Sequence, residues 1–221
     1  MLVEDARRTL LRECEIGLVL DVGANSGQYA TRLRSDGYSG KIISFEPLPD
    51  AYVELAAAAA DDPLWETREL ALGAEAGRAV LNVSENSYSS SFLPITPTAE
   101  AAAPEAAYVG AREVERTTLN SIDIPMHEPV LLKIDVQGVE PDVIRGGSRV
   151  LPRIAAVEAE LSLVPLYEGQ QLAHGVCMLL REFGFVPVAL QSAFADPRSG
   201  EILQLDGLFR RDRSHPWVSG E

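Results

Sequence analysis

The chain has 221 residues, 46% hydrophobic and 24% charged, which is the composition of a folded globular protein and excludes a disordered or fibrous chain. Thirty-three acids against 19 basic residues give a formal net charge of −14, a field that repels a phosphate backbone, so nucleic acid is not an expected partner. Two cysteines, Cys14 and Cys177, cannot build a disulfide framework, no window approaches the ~18 apolar residues of a membrane span, and the charged N-terminus lacks the apolar core of a signal peptide, so a cytoplasmic protein with one large domain is expected.

Residues 2–16 read as a short helix, with Val3, Leu10, Leu11 and Cys14 at helical spacing and Gly17 as its stop. This divides the chain into an N-terminal helix at 1–17, a single domain at 18–211 and a tail at 212–221. The tail region carries the only basic cluster, Arg210, Arg211 and Arg213. The apolar run 18–22 reads as a strand ending in DVGANSG, followed by a helix over 27–36 and a second strand over 41–45. Pro47 and Pro49 break the chain before a helix at 50–60, and 66–71 reads as a third strand. Alternating strands and helices imply a parallel sheet with helical crossovers.

The middle differs. Residues 78–83 and 108–117 read as short strands separated by a long stretch rich in Ser, Pro, Ala and Thr. Loops of that length are usually functional, so about 84–107 is read as a lid-like insertion, with 86–107 less ordered than the sheet. The stretch 98–107 reads equally well as a solvated surface turn. The alternation then resumes, with strands at 130–136 and 154–161 and a short helix at 141–145 ended by Gly146 and Gly147. A helix at 171–183 carries Leu172, Val176, Leu179, Leu180 and Phe183 on one stripe. The last strands, 185–190 and 202–210, are joined by a turn at 196–200; needing no helix between them, they should be antiparallel.

The strongest local signal is LVLDVGANSGQYA, Leu18 to Ala30, where an apolar strand ends in Asp21 and Gly23 and Gly27 bracket a tight turn into a helix. Glycine lets a ligand approach the backbone, and the helix start offers free N–H groups. Glu46 ends the next strand, where an acid accepts hydrogen bonds from ribose hydroxyls. The Gly-x-x-x-Gly spacing departs from the dinucleotide fingerprint G-x-G-x-x-G, and an acid beside the turn suits an amino-bearing ligand better than a pyrophosphate. S-adenosylmethionine is therefore expected over NAD.

The segments LVLDVGANSGQYA, ISFEPLPDAY, SYSSSFL, LLKIDVQGVEPDVIRGG, ELSLVPLYEGQQL and GEILQLDGLF resemble, in order and over nearly the whole chain, the FkbM family of class I S-adenosylmethionine-dependent methyltransferases. The resemblance implies an α/β, Rossmann-like, seven-stranded, mostly parallel sheet with an antiparallel terminal strand and helices on both faces. It also implies O-methylation of a sugar, glycolipid or polyketide-type hydroxyl. Gln137 departs from the glutamate usual in the family's KIDVEG stretch, which puts a charge or metal role at that position in doubt.

The expected cofactor-binding residues are Asp21, Gly23, Ala24, Asn25, Gly27, Glu46, Pro47, Ala71, Leu72, Ser90 and Asp135. The candidate catalytic residues are Asp135, Glu160 and Lys133. Lys133 and Asp135 lie two apart on one strand face, where a buried acid and base need each other, so Lys133 reads as a structural ion pair or as a catalytic group. Glu158 and Glu160 repeat that spacing on the next strand, and Glu160 matches the family's ELSL glutamate. Ser89, Ser90 and Ser91 read as turn residues or as cofactor and substrate contacts, and Tyr167 and Glu168 as a helix-entry turn or part of the acceptor pocket. None of His127, His174 and His215 stands in a catalytic spacing; His174 reads as a surface or half-buried residue, Trp65 as strand-edge packing and Trp217 as part of the tail. Deprotonating a hydroxyl needs a base or a divalent ion such as Mg²⁺, for which no ligands are assigned. The expected partner is a small-molecule or glycoside acceptor, with a homodimer left open. The rival readings are a nicotinamide oxidoreductase on a similar fold and a non-catalytic cofactor-binding or scaffold protein.

Overall fold

The computed structural model describes residues 2–124, 128–212 and 214; His127, Arg213, His215 and Trp217, with most of the tail read at 212–221, lie outside the described residues. In chain order the elements are α1 (Val3–Glu13), β1 (Leu18–Val22), α2 (Gln28–Ser35), β2 (Lys41–Phe45), α3 (Pro49–Ala59), β3 (Trp65–Arg68), β4 (Ala71–Leu72), β5 (Gly77–Ser84), α4 (Pro97–Ala102), β6 (Tyr108–Thr117), β7 (Val130–Ile134), α5 (Glu140–Gly146), β8 (Ile154–Ser162), α6 (Ala173–Glu182), β9 (Phe185–Ala195) and β10 (Ile202–Arg211).

The main sheet has seven strands in the order β3-β2-β1-β7-β8-β10-β9. All pairs from β3 to β8 are parallel, and β10 runs antiparallel to both β8 and β9. The sheet and its reversed β10 agree with the expected architecture. Strand order reverses direction between β1 and β7, so the connections leaving their carboxyl ends run to opposite sides and open a crevice there. Every residue of β1 and β7 is buried, as central parallel strands covered on both faces require.

Two cores cover the two faces. One packs Val143 and Ile144 of α5 and Val176 and Leu180 of α6 on the sheet. The other packs Val3, Ala6 and Leu10 of α1, Ala30 and Leu33 of α2, and Leu55 and Ala59 of α3. The helix read as preceding the domain is thus built into it, lying against β9 and β10. Cys14 packs at the edge of this second core and Cys177 at the edge of the first.

The strand expected at 66–71 splits in two. The Leu70 N–H bonds the Glu46 carbonyl, which turns the chain over the end of β2. β3 stays in the main sheet, while β4 joins β6 and β5 in a separate three-stranded sheet. The stretch 98–107 is not simply a solvated turn: Thr96 caps α4 by accepting the Ala99 N–H (3.3 Å), and Ala99 and Ala102 bury one face against Leu166, Tyr167 and Leu203 while Glu100, Ala101 and Glu105 stay exposed. Alanine allows that close approach. Bridges from Ser91 to Asn82 and from Ile95 to Tyr167 anchor the rest of the segment.

Candidate active site

The crevice begins at the glycine turn after β1. Gly23 sits at φ +77°, and a Cβ there would lie 1.8 Å from the Asp135 carbonyl oxygen, so β1 and β7 converge at a spacing only glycine permits. Gly27, at φ +91°, opens α2 beneath the Trp65 ring. Trp65 is buried and donates its indole N–H to Ser44 Oγ (3.0 Å). Asn25 stands between the glycines at φ +47°, its side-chain oxygen accepting the Ser26 N–H (2.8 Å).

Glu46 follows β2. Its Oε2 accepts the Asn25 N–H (2.9 Å) and its Oε1 the Leu48 N–H (2.8 Å), so one buried carboxylate ties both loops together. Burial raises its pKa to about 7 against the lowering effect of these bonds.

Beneath the turn lies a matched charge pair. Asp21 is fully buried, with Oδ1 3.2 Å from Lys133 Nζ and Oδ2 accepting from Ser44 Oγ (3.1 Å). Lys133 also donates to the Gly23 carbonyl (2.8 Å) and lies 3.7 Å from Asp135 Oδ2. Burial works against the Lys133 ammonium, yet Asp21 and Asp135 raise its pKa overall. A second pair crosses from α1 to β8: Arg7 grips Glu158 through two bonds (2.7 and 2.6 Å), and the Tyr29 hydroxyl donates to the same carboxylate (2.9 Å).

Asp135 and Glu160 meet at the carboxyl ends of β7 and β8. The Gln137 side-chain amide joins them, its Nε2 donating to Asp135 Oδ1 (2.7 Å) and Glu160 Oε2 (3.1 Å). Gln204 Nε2 donates to the same Glu160 oxygen (2.6 Å). Asp206 stands directly opposite Glu160 in the β8–β10 register. Burial, then the charge of Asp135, pushes the Glu160 carboxyl well above the usual range. Asp206 is lifted to about 6 by burial, then by Glu158. Glu140, buried at the start of α5, accepts the Val136 and Gly138 N–H groups (3.2 and 3.1 Å) and fixes the turn after β7.

Two cavities share this crevice. The first, about 240 Å³, is lined by Gly23, Asn25, Glu46 and Pro47 on one side and by apolar Leu48, Leu70, Ala71, Leu72 and Phe92 on the other. Ser87, Tyr88, Ser90, Asp135, Gln137 and Glu160 close it. The second adjoins it through Gly23, Asn25, Tyr88, Asp135 and Glu160 and runs on to Arg7, Tyr29, Lys133, Glu158 and Asp206. The loop after β5 lies across the glycine turn, with Asn25 Nδ2 donating to Ser87 Oγ (3.0 Å) and Gln28 Nε2 to the Tyr88 hydroxyl (2.8 Å).

Of the residues expected to bind cofactor, Gly23, Asn25, Glu46, Pro47, Ala71, Leu72, Ser90 and Asp135 line the first cavity. Ala24 and Lys133 face the second. Asp21 and Gly27 line neither: Asp21 lies below the turn as the partner of Lys133, and Gly27 packs under Trp65. Ser91 is buried and donates to the Gln137 carbonyl (2.6 Å), Tyr167 is buried, and Glu168 and His174 are exposed. Sequence reasoning missed Arg7, Tyr88, Glu140 and Asp206. Asp206 was detectable, since an acid inside the apolar run ILQLDGLF is out of character for a buried strand. Among the described residues, no group of three or more His, Cys, Asp or Glu side chains is arranged to hold a metal ion.

The family model described as the methyltransferase FkbM domain matches residues 21–187. Among solved structures, magnesium protoporphyrin IX methyltransferase from Synechocystis PCC 6803, with bound S-adenosylmethionine, is similar at a TM-score of 0.54 and 10% identity, over 94% of this chain and 77% of that one. An S-adenosylmethionine-dependent methyltransferase from Mesorhizobium loti is similar at 0.51 and 12%, over 94% and 96%. At such identities the likeness is one of fold. A comparison with curated proteins finds no match.

Proposed function

The chain belongs to the FkbM family of S-adenosylmethionine-dependent methyltransferases, and on that premise we propose that it methylates a hydroxyl of a sugar, glycolipid or polyketide-type acceptor. The observation that carries this reading is the junction of the two cavities at Asp135 and Glu160, which sets two adjacent acids, held by the Gln137 amide, where the cavities meet.

The residues of the first cavity fit the cofactor. Each Glu46 oxygen accepts only one backbone N–H and keeps acceptor capacity for ribose hydroxyls. Leu48, Leu70, Leu72 and Phe92 offer an apolar slot for adenine, and the turn at Gly23–Asn25 admits the amino-acid end. When bound, S-adenosylmethionine supplies an electrophilic methyl group on a sulfonium. The protein's part is to align the acceptor and take its proton. Glu160 Oε2 is already engaged by the Gln137 and Gln204 amides, so Asp135, whose Oδ2 lies toward Lys133 and the shared cavity, is the group that receives the hydroxyl proton. Among the described residues, the side chains of this crevice do not form a set that fits a metal ion. The loop at 84–96 covers the junction and is the segment that moves to admit the acceptor.

Calorimetry with S-adenosylhomocysteine and with NAD tests the cofactor, with binding of the first alone expected. Labelled S-adenosylmethionine offered with glycoside, glycolipid and polyketide acceptors tests the transfer. Label found only on amine or thiol acceptors would overturn the hydroxyl assignment.

A further inference from the structure

Gln137 is held more tightly than a pocket-lining amide needs to be. It occupies the left-handed region at φ +54°, a strained conformation for a residue with a Cβ. Its carbonyl accepts the Ser91 hydroxyl (2.6 Å), and its side-chain Oε1 accepts the Tyr167 hydroxyl (2.7 Å). Tyr167 also contacts the Ser89 carbonyl (3.2 Å), so the loop and the segment after β8 both clamp this one residue. The network leaves the amide a single orientation. Turned over, its oxygen would face two carboxylates and its NH₂ would face the tyrosine, losing both bonds to the acids.

We propose that Gln137 is a positioning residue for methyl transfer, its clamped amide holding Asp135 and Glu160 in one fixed relation and linking that relation to the loop through Ser91 and Tyr167. The role rests on the methyl-transfer reading of the site. One donor nitrogen serves both acids, so Asp135 Oδ1 is held toward Glu160 while Oδ2 is left toward Lys133 and the shared cavity. The charged and titratable groups facing the pair are Lys133 from β7, Glu140 from α5, Asp206 from β10 and Tyr167; Asp21 and Glu158 stand behind Lys133 and Arg7. Burial raises the Tyr167 pKa, so its hydroxyl remains a donor and the amide remains polarised toward the acids.

The experiment needs no acceptor. Carbon-detected NMR follows the Glu160 carboxyl through pH in the full chain with S-adenosylhomocysteine present. Gln137→Met removes the shared donor and leaves Glu160 facing the Asp135 charge directly, and Gln137→Glu adds a third carboxylate. The Glu160 midpoint is expected to rise by about one unit or more in the first and further in the second. Tyr167→Phe, a milder change, is expected to shift it in the same direction by a smaller amount, and keeps the test open if the Gln137 variants fold poorly. A merely structural role would lower the melting temperature and leave the midpoint in place. Midpoints within ~0.3 unit of the wild type in the folded variants would overturn the proposal. Failure of S-adenosylhomocysteine to bind the wild type would instead overturn the methyl-transfer reading, and the positioning role with it.

Discussion

Two sets of charged groups, one buried and one half-buried, lie side by side on β7, β8 and their neighbours, and they are built in opposite ways. Lys133 with Asp21 and Arg7 with Glu158 are matched pairs, each carboxylate facing a cation within 3.2 Å and further bonded by Ser44 or Tyr29. One step nearer the crevice, Asp135 faces the Gln137 amide and Lys133 at 3.7 Å, Glu160 faces the Gln137 and Gln204 amides, Asp206 stands opposite Glu160, and burial raises the Glu160 and Asp206 pKa values. A buried ion pair costs desolvation that only good geometry repays, so the matched pairs hold the framework. Acids left short of a close cation are destabilising unless a ligand uses them, which is why the second set is proposed as the place of chemistry.

The largest effect that would sharpen this contrast is on turnover. Asp135→Asn should lower the single-turnover rate by ~10²–10⁴ and leave S-adenosylhomocysteine affinity far less changed, because the backbone and Glu46 contacts remain. Near-wild-type turnover would remove Asp135 as the proton acceptor. Lys133→Met strikes the framework instead. It strands the fully buried Asp21 and should cost about 3–5 kcal/mol of stability in urea unfolding. A loss under about 1 kcal/mol would show that water reaches Asp21.

Glu46→Ala should weaken S-adenosylhomocysteine binding by about 1.5–3 kcal/mol in calorimetry, the scale of charge-assisted bonds. The same carboxyl predicts a pH dependence. Ribose hydroxyls favour its ionised form, whose pKa in the free protein is about 7, so affinity should rise as pH increases through that range and level off above it. A flat profile between pH 5.5 and 8 would argue that Glu46 does not touch the ligand. The smallest effect has the opposite sign. The folded-state pKa of Asp206 is raised to about 6, so its ionised form weakens the fold above that pH and costs nothing below its unfolded value. Asp206→Asn should therefore stabilise by up to about 1 kcal/mol at pH 8, after allowing for partial exposure, with the gain vanishing near pH 4. Destabilisation at pH 8 would place Asp206 among the matched acids.

The main sheet was legible because β1, β2 and β7 are short apolar runs closed by Gly or Pro and followed by a helical crossover. Gly23 and Glu46 were legible because they end consecutive strands, so local sequence already places them at one edge. The split of 66–71 was not, because it depends on a backbone bond from Leu70 to Glu46 that no side-chain pattern encodes. The stretch 98–107 read as part of a lid or as a solvated turn, since alanine has no periodic signature, and the packing of Ala99 and Ala102 on Leu166 and Tyr167 was not visible in it. Glu158 looked the weaker of the two β8 acids, and its partner Arg7 stands on a helix far away in sequence. Gln137 stood out as a departure in sequence, but its two acids, its tyrosine and its serine come together only in three dimensions.

The grip of Arg7 on Glu158 bears on where this domain can be cut. The family match begins at residue 21, inside β1, whereas the cation that neutralises Glu158 sits on α1. A fragment trimmed to the matched residues would lose Leu18, Val19 and Leu20 from the central strand, uncover the sheet face under Val3, Ala6 and Leu10, and leave an acid of the second cavity without its counter-ion. The first helix is therefore part of the smallest unit in which the second cavity keeps its charge balance.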